Sequence, residues 1–182
     1  MPRTPHKKNL PPVVDGVIEV LDDEGKPLLI MPQGQALRQK LRHHTVLVCL
    51  RNARGHIFLH KKTAAGSGDA QGEAWLPAAH GRVVAGESRY GAGIRLLDHV
   101  FGISGVELFE AATFKQPAGG LAGNAVTTLL LTAKTSIIPR LRDQEASDGI
   151  FVDREEFRAI MRDYPHMVTP LWSLALPYFF AR

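Results

Sequence analysis

Lys61, Lys62, Arg82 and Arg95 are of the types that recognise phosphate. An ammonium supplies a point charge, and a planar guanidinium reaches two phosphate oxygens at once. A formal net charge of +4 and a pI near 9.4 also point to an anionic ligand, a phosphorylated small molecule being the natural choice. Lysines at strand ends also protect sheet edges, so Lys61 and Lys62 carry a structural reading beside the functional one. His43, His44, His80 and His99 are the second group with chemistry to offer. With Glu87 they would make the nitrogen-rich set that Zn²⁺ favours, yet their spacing matches no established zinc motif. An ordinary hydrogen bond for each is the plainer expectation. Cys49 stands alone in the apolar run 46–50, where a cysteine serves as a small hydrophobe; a single cysteine fits a reducing compartment.

The elements that must position these residues follow from periodicity and turn chemistry. Residues 13–20 and 27–31 read as a hairpin around the Asp22-Asp23-Glu24-Gly25-Lys26 turn, and 33–42 as a short helix. The near-continuous apolar stretch 44–51 reads as a strand buried on both faces, and 56–61 returns as its partner. Residues 64–72 form a glycine-containing loop expected to be mobile; 80–84 is a short strand and 87–101 a helix. Strands at 106–116 and 124–135 flank a Pro117-Ala118-Gly119-Gly120 turn. Asp153 opens a helix with an acidic first turn, and a last helix runs from about Pro170 towards Phe180, with Pro177 as a potential break. Strands alternating with a few helices predict an α/β (α+β) protein, a mixed sheet covered on both faces. The reading is one domain over 13–182 behind a flexible basic tail, 1–12.

Other function classes find little support. Basic residues are scattered and aromatics make up 7%, too few for a stacking platform, so no dedicated nucleic-acid binding is expected. No apolar run is long enough to span a bilayer, and the tail lacks the apolar core of a signal peptide, so no membrane association and a cytoplasmic location are expected.

The most informative stretch runs Gly81-Arg82-Val83-Val84-Ala85-Gly86-Glu87-Ser88 and on to Arg95-Leu96-Leu97-Asp98-His99-Val100-Phe101-Gly102-Ile103. It resembles the Nudix box: a glycine, five residues, a glutamate, seven residues, then Arg-Glu-apolar-x-Glu-Glu-x-Gly-apolar. Gly81, Glu87, Arg95, Leu97, Gly102 and Ile103 match, with no insertion or deletion. The Trp75-Leu76-Pro77 approach and the order of strands also fall where the family places them. The resemblance implies the Nudix fold, a mixed sheet sandwiched between helices.

In that family the three helical glutamates hold Mg²⁺ or Mn²⁺, and the metal helps water attack a diphosphate. Here their positions carry Leu96, His99 and Val100, so the box is degenerate. At about 100° per residue, Tyr90, Ile94, Leu97 and Phe101 share the face expected to pack on the sheet. Asp98 is expected near that core side. Leu96 and Val100 should make an apolar ridge opposite, where carboxylates belong. Gly91 and Gly93 inside the helix imply a loosened helix or a close backbone approach.

By the resemblance the chain is a hydrolase of nucleoside diphosphates linked to another moiety, with catalysis weakened or lost. Glu87 would be metal ligand or base, helped by His99 or by a carboxylate outside the box such as Glu110. The alternative is a non-catalytic Nudix domain that binds a phosphorylated metabolite or a protein partner; family habit also suggests a homodimer. The hairpin before Arg42-His43-His44, the Lys61-Lys62-Thr63 strand end and Met167-Val168-Thr169-Pro170 look most like the isopentenyl-diphosphate isomerase-like branch. Isomerase activity itself is not expected. The cysteine those enzymes place before the box glycine is His80, the metal histidine after it is Arg82, and their acidic stretch reads Gly123-Asn124-Ala125.

Overall fold

A computed structural model describes residues 16–62, 74–77, 79–116, 124–140, 146–168 and 170–180. The 64–72 loop, the 117–120 turn and the 1–12 tail expected from sequence lie outside these residues. The chain opens with the hairpin β1 (Val17–Leu21) and β2 (Pro27–Pro32). Asp22 folds the turn between them, accepting from Lys26 N at 2.8 Å through its side chain and from Gly25 N at 3.2 Å through its carbonyl. Helix α1 (Gln33–Arg38) stops short of the expected Arg42. Lys40 takes a left-handed φ of 53°, and the bonds Lys40 N to Leu37 O and Leu41 N to Ala36 O complete a Schellman ending.

The centre of the molecule is β3 (His43–Cys49), followed by β4 (Ile57–Lys62), β5 (Ala74–Pro77) and β6 (Ala79–Arg82). Helix α2 (Arg89–Phe101) leads to β7 (Leu108–Lys115), β8 (Ala125–Thr132) and β9 (Ala146–Val152). Helices α3 (Arg154–Asp163) and α4 (Pro170–Phe179) close the described chain; α4 carries Pro177 within it. Strands pair in the order β2-β1-β3-β8-β7, with β6 also on β3, and β5-β4-β9 forms a second, antiparallel sheet. β3 and β8 run parallel from His43 beside Ala125 to Cys49 beside Leu131; the other pairings are antiparallel. The expected mixed sheet between helices is present.

Strand alternation divides the core in two. Val46, Val48, Leu50 and Leu130 face α2, whereas Leu47, Cys49, Leu129 and Leu131 face α3 and α4. On the second face Phe157 stacks on Trp172 at 4.9 Å and meets Phe179 edge-on at 5.6 Å. Asp153 caps α3 with a full capping box through Glu156, as the acidic first turn implied. No described helix is long and apolar enough to cross a membrane.

Three further expectations about the elements need correction. No strand was foreseen at β9, which pairs with β4. Helix α2 begins at Arg89, because the Ser88 side chain caps it by accepting from Gly91 N at 3.0 Å. Its buried face is also rotated from the one predicted. Tyr90 and Ile94 are 43% and 44% exposed and Asp98 is exposed, while Ala92, Gly93, Leu96, Leu97 and Phe101 are buried. The cause is the small pair Ala92-Gly93, which lets the helix settle onto β8. A Cβ at Gly93 would lie 2.7 Å from Leu130 Cδ1 and 2.9 Å from Leu108 Cδ1. Gly93 therefore marks a close approach.

Candidate functional site

The box builds its site around β6 and the turn into α2. Gly81 pairs with Val46 and faces α2; Arg82 pairs with Thr45 and His80 with Leu47, so both belong to the opposite face. Glu87 sits in the turn, its N–H donating to Val84 O at 2.9 Å and its Oε2 accepting from Val84 N at 3.1 Å. Arg95 forks onto the same carboxylate, Nε to Oε1 and Nη2 to Oε2, each at 2.8 Å. Nη2 also donates to Arg82 O at 3.0 Å. The Glu87 side chain is 6% exposed and that of Arg95 38%. Both carboxylate oxygens thus have local donors, and the pair clasps β6, the turn and α2 together. This is the geometry of a bidentate structural bridge.

The three positions that would carry metal-binding carboxylates contribute none. Leu96 is 8% exposed, in the core, and covers Gly81: a Cβ there would lie 2.6 Å from Leu96 Cδ2. The apolar ridge predicted on the face opposite the core is therefore corrected at Leu96, which packs inward against β6. Val100 is half-buried against the same cluster, and His99 is exposed. Glu110 lies on β7, 3.8 Å from Arg89 Nη1 and accepting from Thr113 Oγ1 at 3.1 Å. Among the described residues no three His, Cys, Asp or Glu gather as a metal set. Hard cations need several oxygen ligands, so the described residues of this site do not fit Mg²⁺ or Mn²⁺.

The structure partly separates the four predicted phosphate-binding cations. Arg82 and Arg95 meet through the Arg82 carbonyl, but the Arg95 fork is engaged by Glu87. Lys61 belongs to the second sheet, with Nζ 5.2 Å from the Trp75 ring centroid. The Lys62 side chain lies outside the described residues. Arg82 is half-buried, burial lowers its pKa, and its Nε has no hydrogen-bond partner among the described residues.

A polar row beside Arg82 went unrecognised in the sequence. Thr45 and Thr127, buried on neighbouring strands, join hydroxyls at 2.7 Å, and Gln116 Nε2 donates to Thr127 Oγ1 at 2.6 Å. Buried His43 donates from Nδ1 to Leu41 O at 2.9 Å, leaving Nε2 without a partner among the described residues. Its pKa is lowered by burial and also by Arg82, against the raising effect of the Leu41 bond. His80 is pushed down to about 4, by burial first and then by the Arg82 and His43 charges. His80 is nonetheless exposed at the surface, which tempers the burial contribution and leaves the charge effects of Arg82 and His43 standing. The under-satisfied guanidinium suits an anionic oxygen, and the His43 Nε2 lone pair suits a ligand hydroxyl. The signal was present in the sequence as polar residues at alternate positions 43 and 45 of an otherwise apolar strand, with Thr127 as counterpart.

The zinc reading does not survive this arrangement. His43 and His80 share one face with Arg82, whose charge opposes a cation. His44 belongs to the α2 face and His99 to the exposed side of α2.

No protein-family model and no curated protein sequence matches this chain. Solved structures do. DR0079 from Deinococcus radiodurans superposes with a TM-score of 0.70 at 14% identity, over 91% of this chain and 99% of that one. The MutT protein from Methanosarcina mazei Go1 gives 0.58 at 17% identity, over 76% and 90%. The MutT NUDIX hydrolase from Burkholderia pseudomallei gives 0.58 at 16% identity, over 75% and 97%. The order of strands, the parallel β3–β8 pair and the helix after the box glycine are thus those of the Nudix fold.

Proposed function

We propose that the chain is a Nudix-fold protein that binds a phosphorylated small molecule beside Arg82, with diphosphate hydrolysis weak or lost. The observation that carries this reading is Leu96 seated on Gly81 while Glu87 is clasped by Arg95. An apolar side chain fills a position that the family pattern reserves for a carboxylate, and the remaining box carboxylate has a structural partner. Arg82, with its unsatisfied Nε, and His43, with its unsatisfied Nε2, supply a donor and an acceptor for a ligand. Nucleoside diphosphates linked to another moiety are the ligand class that the sequence resemblance suggests.

The test pairs turnover with binding. Phosphate and nucleotide release is measured over a diphosphate panel with Mg²⁺, Mn²⁺ or Zn²⁺, for the wild type beside Glu87→Gln. Ligand binding is measured by calorimetry for the wild type beside Arg82→Gln, with circular dichroism confirming the fold of each variant. We expect release no faster than from Glu87→Gln, and binding weakened by Arg82→Gln. Turnover that Glu87→Gln abolishes would overturn the reading and make Glu87 a catalytic carboxylate.

A further inference from the structure

A cavity of about 400 Å³ opens on the α2 face of the main sheet, the face opposite Arg82. Its walls are the hairpin tip at Glu24 and Gly25, the first residue of α2, Arg89, and the β7 segment Thr113 to Lys115; His44 and Val126 line it from β3 and β8. The size falls within the roughly 300–1,000 Å³ of small-molecule sites. The hairpin wall is tied down. Arg42 Nη1 pairs with Asp23 at 2.9 Å and donates to Asp22 O at 3.0 Å, while Lys115 Nζ reaches Asp23 O at 3.5 Å. Such fixing lowers the ordering cost of taking a ligand.

The lining has two kinds of group. Arg89 from α2 and Lys115 from β7 bring positive charge, and the Thr113 hydroxyl beside them is engaged by Glu110 and Thr128, each at 3.1 Å. Arg89 is only lightly engaged: Nη1 lies 3.3 Å from Thr128 Oγ1 and 3.8 Å from Glu110 Oε1, in a pair more than a third exposed on both sides. Against these stands a group that accepts hydrogen bonds, the Glu24 carboxylate at the rim. His44 lines the cavity beside Val126. An anion alone would satisfy only the first group, and a neutral polyol only the second.

We propose that this cavity binds a hydroxylated phosphate monoester, its phosphate held by Arg89 and Lys115 and a hydroxyl donating to the Glu24 carboxylate at the rim. The site is separate from the Arg82 row, being on the other face of β3 and β8. The test titrates the full-length, ¹⁵N-labelled protein with glucose 6-phosphate, inorganic phosphate and glucose, followed by amide shifts. Glucose 6-phosphate should shift Gly25, Arg89, Thr113 and Lys115, bind more tightly than inorganic phosphate, and have no counterpart with glucose. Arg89→Gln and Lys115→Gln, both at accessible positions, should each weaken it about tenfold, the value of a charge-assisted hydrogen bond. Arg82→Gln should leave these shifts in place. Absence of these shifts with glucose 6-phosphate would overturn the proposal. So would binding that survives both glutamine variants, binding no tighter than that of inorganic phosphate, or shifts abolished by Arg82→Gln alone.

Discussion

Glu87 and Arg95 decide what the turn into α2 does. A carboxylate only 6% exposed needs a partner for its charge, and Arg95 supplies both hydrogen bonds of a fork. Arg95→Leu should therefore cost about 2 kcal/mol in urea denaturation, below the roughly 3–5 of a fully buried pair because Arg95 itself is 38% exposed. Adding Glu87→Gln should recover part of that loss, since the stranded charge is then gone. A double variant no more stable than Arg95→Leu would show that the fork serves something other than neutralising Glu87. Leu96 illustrates a different residue-scale effect: it is buried because Gly81 leaves room for it. Neither the fork nor that contact is visible from spacing, since both depend on β6 and α2 meeting in space.

Helix α2 shows how far an element can be read and where the reading fails. Its C-terminal end at Gly102, with φ 66°, and the burial of Leu97 and Phe101 follow from the sequence pattern. Its orientation does not, because large apolar residues were given more weight than the two small ones that set the distance to β8. That geometry predicts opposite behaviour for its two internal glycines. Gly93→Ala should destabilise by about 1–2 kcal/mol despite alanine's better helix propensity, as its Cβ would press on buried Leu130 and Leu108. Gly91→Ala meets only Ser88 Oγ at 3.1 Å and Glu87 Cγ at 3.5 Å, so thermal unfolding should show it close to neutral. Equal effects at the two sites would contradict the close packing of α2 on the sheet. Strand β9 was missed for a related reason. Its Ser-Asp-Gly start looks like a turn, and Gly149 is accommodated by the ring of Phe58, which lies over it from β4.

At the scale of the whole molecule, three histidines, of which His43 is buried and His80 exposed, couple folding to pH. His43, His44 and His80 all have pKa values below 6.5, with burial as the leading cause and positive neighbours adding to it. Below pH 6.5 the unfolded chain therefore binds protons that the folded chain refuses, so stability rises with pH in that window and falls as the medium is acidified. Each histidine contributes a slope of at most about 1.4 kcal/mol per pH unit. The window from pH 6.5 down to 5 isolates them from ordinary carboxylates, which titrate near 4. Urea denaturation across it should show falling stability for the wild type and a shallower slope for His80→Gln. An anion bound beside Arg82 would offset the charge that depresses His43 and His80, raising their pKa values and flattening the same slope. If stability between pH 6.5 and 5 is flat without any ligand, the histidines are not held neutral, and the electrostatic case for an anion-binding row weakens with them. If a phosphate ester flattens an initially steep slope, and Arg82→Gln removes that effect, the proton linkage assigns the ligand to that row.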